Sequence, residues 1–411
     1  MRIPAAILSY RGRIDPYLVV PAAVLVVVGC LAVYSATEFA DSARAGFFAR
    51  HLLSLAAALA AMLIAMAVPL RLLEDLAYGL YGLAILLLIA VLIVGTEVYG
   101  ARRWLGAGPL RIQPSELAKV ACAIAVARFL VARRRDPGRI GHLLIALGLV
   151  ALPLLLVLKE PDLGTSGAFA AMGLAVLVWA GLPWLHLLIL VSPLVGLALC
   201  RHSVLWGLFL LGSVIALWRS RLPWLLVGLF VAVQIGVFFG APRVWNALEP
   251  YQRTRLTTFL DPSRDPAGAG YQILQSKIAI GSGEIVGKGY LQGSQKALAF
   301  LPQQHTDFIF SVLGEEFGFV GAAIVVLLFF ALVSRGYYLA LHCRNSFSGA
   351  LSVALSTLLL YHAGVNMAMT VGLLPVTGLP LPLVSYGGSF LVSVFAMLGL
   401  LLNISAHRFD Y

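Results

Sequence analysis

Apolar runs of roughly 17–25 residues recur from one end of this 411-residue chain to the other, and nothing else narrows its fold as much. Each run is long enough to cross a hydrocarbon core about 30 Å thick. Lipid offers the backbone no hydrogen bonds, so a crossing segment must be a helix or part of a closed barrel. Barrel strands alternate apolar and polar residues, and these runs do not. The chain is therefore expected to be an all-α polytopic membrane protein. Twelve spans can be placed, near residues 17–37, 51–69, 76–95, 114–132, 141–158, 163–182, 184–200, 203–218, 223–240, 306–333, 349–372 and 386–406. Composition agrees: 11% of residues are charged, where a soluble domain carries about 25%.

Charge asymmetry suggests an orientation. Arg2, Arg11 and Arg13 precede the first span, and Arg128, Arg133, Arg134, Arg135 and Arg139 follow the fourth. Arg219, Arg221, Arg335, Arg344 and Arg408 fall on the same side. Both termini are then expected in the cytoplasm, with the 241–304 loop outside. Arg102, Arg103 and Arg111 sit on the outer side against that trend and invite a functional reading. Much of the net charge of +11 is this topological arginine, and no soluble basic module exists to bind nucleic acid. The first span is too long for a signal's apolar region and lacks a convincing cleavage site, so it is expected to be retained. Cys30, Cys122, Cys200 and Cys343 lie in apolar runs without CxxC spacing and read as buried small hydrophobes.

The 241–304 loop is the one long polar segment, rich in charge and glycine. Tyr251–Leu260 reads as a short interfacial helix ended by Asp261-Pro262, and a second helix is expected around Gln272–Ile280. Gly281–Gly289 superficially resembles a nucleotide loop but lacks the GxxxxGK[ST] order and a preceding parallel strand. His305 has no companion at metal-ligand spacing.

The outer ends of several spans carry polar groups. Glu116 and Lys119 share one face at the start of the fourth span. Such a pair inside a membrane helix marks a functional cavity by default, or else neutralises itself and fixes the helix. Asp162, in the turn between the fifth and sixth spans, either caps the following helix or joins a site. His305-Thr-Asp307 opens the tenth span, and Glu315 and Glu316 should lie roughly 15 Å further along it at 1.5 Å per residue. At least one of these glutamates is expected to face the interior. Asn366 reads as a packing hydrogen bond. The segment Leu374–Ser389 is too apolar for solvent and too proline-rich for helix, so it should re-enter and pack inside protein. Cations (Arg102, Arg103, Lys119, Lys277) and carboxylates (Glu116, Asp261) thus mix on one side. That suits a substrate with a phosphate to be stabilised and a hydroxyl to be deprotonated.

Together these motifs resemble one family. Ile112-Gln-Pro-Ser-Glu-Leu-Ala-Lys119, Pro161-Asp-Leu-Gly-Thr165, His305-Thr-Asp-Phe-Ile-Phe310 with Gly314-Glu-Glu-Phe-Gly318, and Pro382-Leu-Val-Ser-Tyr-Gly-Gly-Ser389 are similar to the SEDS (shape, elongation, division, sporulation) proteins, in the family's order. Leu374-Pro-Val-Thr-Gly-Leu-Pro-Leu-Pro382 and Gly287–Gln295 look like its RodA branch. The resemblance implies a SEDS-type bundle in a single domain over 1–411, with 201–240 an inserted helix pair. It implies a peptidoglycan glycosyltransferase that polymerises lipid II on the outer face of the bacterial cytoplasmic membrane, releasing undecaprenyl pyrophosphate, for cell-wall elongation. Expected partners are a class B penicillin-binding protein (the transpeptidase) and other elongation-complex membrane proteins. Asp261, in a Leu-Asp-Pro context, matches the family's essential loop aspartate and is the expected catalytic base. Candidate substrate contacts are Arg102, Arg103, Trp104, Glu116, Lys119, Asp162, Lys277, His305, Asp307 and Ser385. Glu116 either orients Lys119 or holds a divalent cation (Mg or Mn). The chain departs from the family pattern at Glu160, where glutamine is more usual, in Pro302-Gln-Gln-His305, and at Phe390. Two alternatives stand beside this reading. A lipid II flippase needs a polar path across the whole bilayer, to which Glu315 and Glu316 would contribute; a non-catalytic scaffold would only recruit the transpeptidase.

Overall fold

The computed structural model describes residues 14–38, 46–98, 101–106, 111–131, 137–200, 202–220, 224–247, 250–261, 269–293 and 304–409. The Pro302-Gln303 part of the motif before His305 lies outside these residues. The first half of the chain forms α1 (Pro16–Glu38), α2 (Phe47–Ala67), α3 (Leu70–Asp75), α4 (Ala77–Val94), the strands β1 (Thr96–Val98) and β2 (Ala101–Trp104), α5 (Pro114–Val131), α6 (Ile140–Lys159) and α7 (Leu163–Trp179). Three helices follow: α8 (Trp184–Leu199), α9 (Ser203–Arg219) and α10 (Trp224–Ala247). The loop holds α11 (Pro250–Leu260) and α12 (Ala269–Ser282), and the chain closes with α13 (Ile309–His342), α14 (Ser346–Thr370) and α15 (Gly388–Ala406).

Among the described residues, seven helices are long and apolar enough to cross a membrane: α1, α2, α4, α6, α13, α14 and α15. Shorter apolar helices lie in α7 to α10. With α5, which carries Glu116, Lys119 and Arg128, these account for the twelve expected spans. The molecule is an all-α polytopic membrane protein, as the apolar runs required. Both loop helices form where expected, and α11 ends at Leu260.

Burial separates the central helices from those facing lipid. The apolar windows of α14 and α15 are 78% buried, whereas that of α2 is 11% buried. Without a hydrophobic drive between helices in lipid, small residues that admit close backbones carry the packing. A side chain at Gly399 of α15 would strike the Met62 carbonyl of α2, and one at Gly336 of α13 would strike Ser356 of α14. Helices α8, α9 and α10 pack on one another.

Two local features differ from the sequence reading. The third span is followed by an antiparallel hairpin pairing Glu97 with Arg102 and Val98 with Ala101. The tenth span is not one straight helix: α13 breaks at Gly318, with φ 63° and ψ −163°. The reason is an inserted loop. Lys288 and Gly289 donate their N–H groups to the Glu315 and Glu316 carbonyls, both at 3.0 Å. Phe319 and Val320 donate to the Glu284 and Ile285 carbonyls at 2.9 and 3.1 Å. A helix broken inside a bundle must satisfy the freed backbone groups, and residues 284–289 do so. Gly287 (φ 86°) permits it, because a side chain there would collide with the Glu316 carbonyl. Glu315 and Glu316 are both buried, where at least one was expected to face inward, and stand just before this break, bonded to Lys288 at 2.7 Å and Ser35 at 2.6 Å.

The proline-rich segment packs as expected, non-helical from residue 375 to 387 with Leu381, Leu383, Val384 and Ser385 buried. It is stitched to the start of α13: Tyr386 N–H donates to the His305 carbonyl at 2.9 Å, and Ser385 Oγ donates to the Thr306 carbonyl at 2.6 Å.

Candidate active site

Helix α5 begins with proline at its first position, where no backbone donor is needed. Its first two turns put Glu116 and Lys119, 3% and 0% exposed, into the centre of the bundle. Lys119 Nζ donates to Glu116 Oε1 at 2.9 Å and to His362 Nε2 at 2.7 Å, and stands 5.5 Å from the centre of the Phe390 ring. An ammonium has only protons to offer, so His362 Nε2 accepts and its ring proton sits on Nδ1. The second Glu116 oxygen has no partner among the described residues.

The turn from α6 to α7 supplies the next group. Asp162 caps α7, accepting from Thr165 N–H and Oγ1 at 3.0 Å each. Its cap role does not remove it from the site, because Arg103 Nη1 lies 3.6 Å from its Oδ2. Arg103 reaches over from β2 and donates to the carbonyls of Glu160 at 2.9 Å and Pro161 at 2.5 Å. Glu160 itself is buried. Burial first, then the charge of Asp162, pushes its carboxyl up to about 8 against the pull of Arg103.

The turn before α13 adds Asp307. Its carbonyl accepts from Asn366 Nδ2 of α14 at 2.8 Å, the packing bond expected of that asparagine. Burial raises the Asp307 carboxyl to about 6, although Arg255 and a bond to Thr306 favour its charge. Arg255 comes from α11 and is tied down by donating to the Val376 carbonyl at 3.0 Å. Asp162 is the electrostatic hub, acting on Glu116, Glu160, Asp307 and Tyr361.

The structure therefore gathers Arg103, Glu116, Lys119, Asp162 and Asp307 from the candidate set. Asp261 follows α11 directly, half-buried, six residues beyond Arg255, with its N–H on the Thr257 carbonyl at 2.9 Å. His305 is nearly buried among rings, 5.0 Å from Phe47 and 5.7 Å from Tyr386. Ser385 serves the stitch described above. Trp104 is partly buried in β2, its carbonyl accepting from Thr96 Oγ1 at 3.2 Å. Arg102 instead points outward, 3.8 Å from Glu97. Lys277, on α12, is exposed and lies against Gly372. Sequence reasoning missed His362 and Tyr361. Asn366, four residues after His362 on α14, was the available signal, since residues so spaced share a face. Among the described residues no three His, Cys, Asp or Glu side chains converge to hold a metal ion. Glu116 spends one oxygen on Lys119 and keeps the other without a partner among the described residues.

Residues 16–409 match the profile of the FtsW/RodA/SpoVE family, described as cell cycle proteins. The chain belongs to this family. The peptidoglycan glycosyltransferase MrdB of Escherichia coli K12 is 39% identical over 401 residues, 97% of this chain and 95% of the relative. The peptidoglycan glycosyltransferase RodA of Treponema pallidum is 36% identical, covering 79% of this chain and 81% of the relative. Among solved structures, one of a peptidoglycan synthase complex, concerned with coordination of polymerization and crosslinking, contains a similar chain. That chain is 32% identical with a TM-score of 0.74, covering 97% of this chain and 99% of its own. The crystal structure of the rod shape determining protein RodA of Thermus thermophilus aligns with a TM-score of 0.64 at 27% identity, over 97% of this chain and 98% of that one. As a family member the chain is a multi-pass membrane protein.

Proposed function

We propose that this chain, a peptidoglycan glycosyltransferase, polymerises lipid II at the cluster formed by α5, the α6–α7 turn and the start of α13. The 4-hydroxyl of the acceptor sugar attacks the anomeric carbon of the lipid-linked donor, and undecaprenyl pyrophosphate leaves. Two demands follow: a base at the attacking hydroxyl and positive charge at the departing diphosphate. Asp261 takes the hydroxyl proton. Arg103 is the cation best placed for the diphosphate, and Lys277 and Arg102, which are solvent-accessible, guide the headgroup inward. Lys119 already donates to Glu116 and His362, so it acts by neutralising Glu116 and holding α5 to α14.

The active site faces outward in this reading and both termini face the cytoplasm, consistent with the arginine asymmetry. A class B penicillin-binding protein crosslinks the new strands, which fits the likeness to a chain of a peptidoglycan synthase complex. The observation that carries the proposal is the convergence of three buried carboxylates (Glu116, Glu160 and Asp162) and the half-buried Asp307 with Arg103, Lys119 and Arg255 in a membrane bundle. Isolated charges in a membrane are costly and mark function. The test is to supply lipid II to the purified protein with its transpeptidase, and to score glycan strands beside scrambling of labelled lipid II in vesicles. Strands without scrambling support the polymerase; scrambling without strands would favour a flippase.

A further inference from the structure

Glu160 sits where α6 turns into α7, 1% exposed, and neither of its carboxyl oxygens has a hydrogen-bond partner among the described residues. A buried carboxyl left so is costly unless something outside the chain meets it. Its surroundings are fixed. Arg103 holds the turn by donating to the Glu160 and Pro161 carbonyls, and the same guanidinium stands 3.6 Å from Asp162. Those donors are thus directed at backbone and Asp162, leaving the Glu160 side chain unused by the fold.

The charged groups acting on Glu160 are Arg103 of β2 and Asp162 in its own turn. Past Asp162 lie Glu116 of α5 and Asp307 before α13. Acids outnumber cations here. An ionised Glu160 would repel an anionic headgroup, whereas a neutral one carries a proton to donate. Its raised value of about 8, outweighing the pull of Arg103, keeps the neutral form dominant near pH 7.

We propose that Glu160 is a substrate-contacting residue whose neutral carboxylic acid donates a hydrogen bond to the diphosphate of the lipid-linked substrate, beside Arg103. The inference rests on the polymerase reading above. Glu160 makes and breaks no bond; its proton stays in place and the contact sets binding. A neutral donor is suited to this position because a further full cation would pair with Asp162 or Glu116, while a carboxylic acid does not.

The test is lipid II polymerisation by the full-length protein with its transpeptidase, with KM followed from about pH 6 to about pH 9. For the wild type, KM should rise above about pH 8 as Glu160 ionises. Glu160→Gln keeps a donor at every pH, so its KM at pH 7 should stay within about threefold of wild type and the alkaline rise should vanish. Glu160→Leu should raise KM about tenfold or more with kcat little changed, the loss expected for a hydrogen bond to a charged group. A purely structural glutamate would lower the melting temperature without moving the pH profile. The inference is overturned if Glu160→Gln retains the alkaline rise, or if Glu160→Leu binds like wild type. Should the leucine variant not fold, the glutamine profile decides alone. A wild type that makes no strands would sink the polymerase reading; strands with an unaltered profile in Glu160→Gln sink only this inference.

Discussion

Replacing Lys119 by methionine tests the buried core of the site. Lys119 is 0% exposed, 2.9 Å from Glu116 and 2.7 Å from His362. Methionine keeps the apolar stem and most of the volume, so packing against Phe390 survives while the ammonium is lost. Glu116, 3% exposed and with one oxygen already unpartnered, then becomes an isolated buried acid. Removing one member of a buried ion pair costs about 3–5 kcal/mol, whereas replacing both with neutral groups of similar shape is often close to neutral. Lys119→Met alone should therefore destabilise by about 3–5 kcal/mol. Glu116→Gln should cost about 1–3 kcal/mol, because the ammonium keeps His362 as a partner. The double variant should be far more stable than the sum of the two predicts. The assay is denaturant unfolding of the purified protein in mixed micelles, read as a double-mutant cycle. Losses that add within about 0.5 kcal/mol would refute the argument, since they would mean that the pair is not coupled.

Other outcomes follow from the same geometry. Asp307→Asn should remove a pH dependence of stability. Burial raises the Asp307 carboxyl to about 6, so the folded protein binds more protons than the unfolded chain between about pH 4 and about pH 6. Its contribution is thus present at low pH and lost as pH rises through about 6, and a melting series against pH should show that slope flattened in the variant. Gly318→Ala should destabilise by about 1–3 kcal/mol, because φ 63° suits glycine and a side chain would collide with the backbone of residues 285 and 287. Thermal unfolding measures it. Asp162→Ala removes the α7 cap and should cost about 1–2 kcal/mol in unfolding experiments, with a larger loss of polymerisation because Arg103 also loses its carboxylate.

The fold was legible where it depends on apolar length. Each of the twelve runs became a helix, and even the weakest, near 203–218, is α9 (Ser203–Arg219). The break in α13 was not legible, because Gly318 lies inside an apolar run and its cause is residues 284–289, distant in sequence. The β1–β2 hairpin escaped notice because strands of three and four residues are too short to show alternation. The site divides in the same way. Glu116 with Lys119 and the Asp162 cap are local patterns, spaced three residues apart and at a helix start. The Lys119–His362 bond joins residues 243 positions apart, and the Asp307–Arg255 pairing also crosses elements. Such contacts exist only after packing, so no spacing rule could announce them.

Proton removal from the acceptor hydroxyl is proposed for Asp261, which directly follows α11. Asp261→Asn preserves size and polarity but cannot take that proton. Single-turnover strand synthesis from lipid II, at saturating substrate, should fall by about 10²-fold or more in the variant while lipid II binding is retained. A variant that polymerises within about threefold of wild type would contradict the assignment and return the search for the base to the buried carboxylates around Asp162.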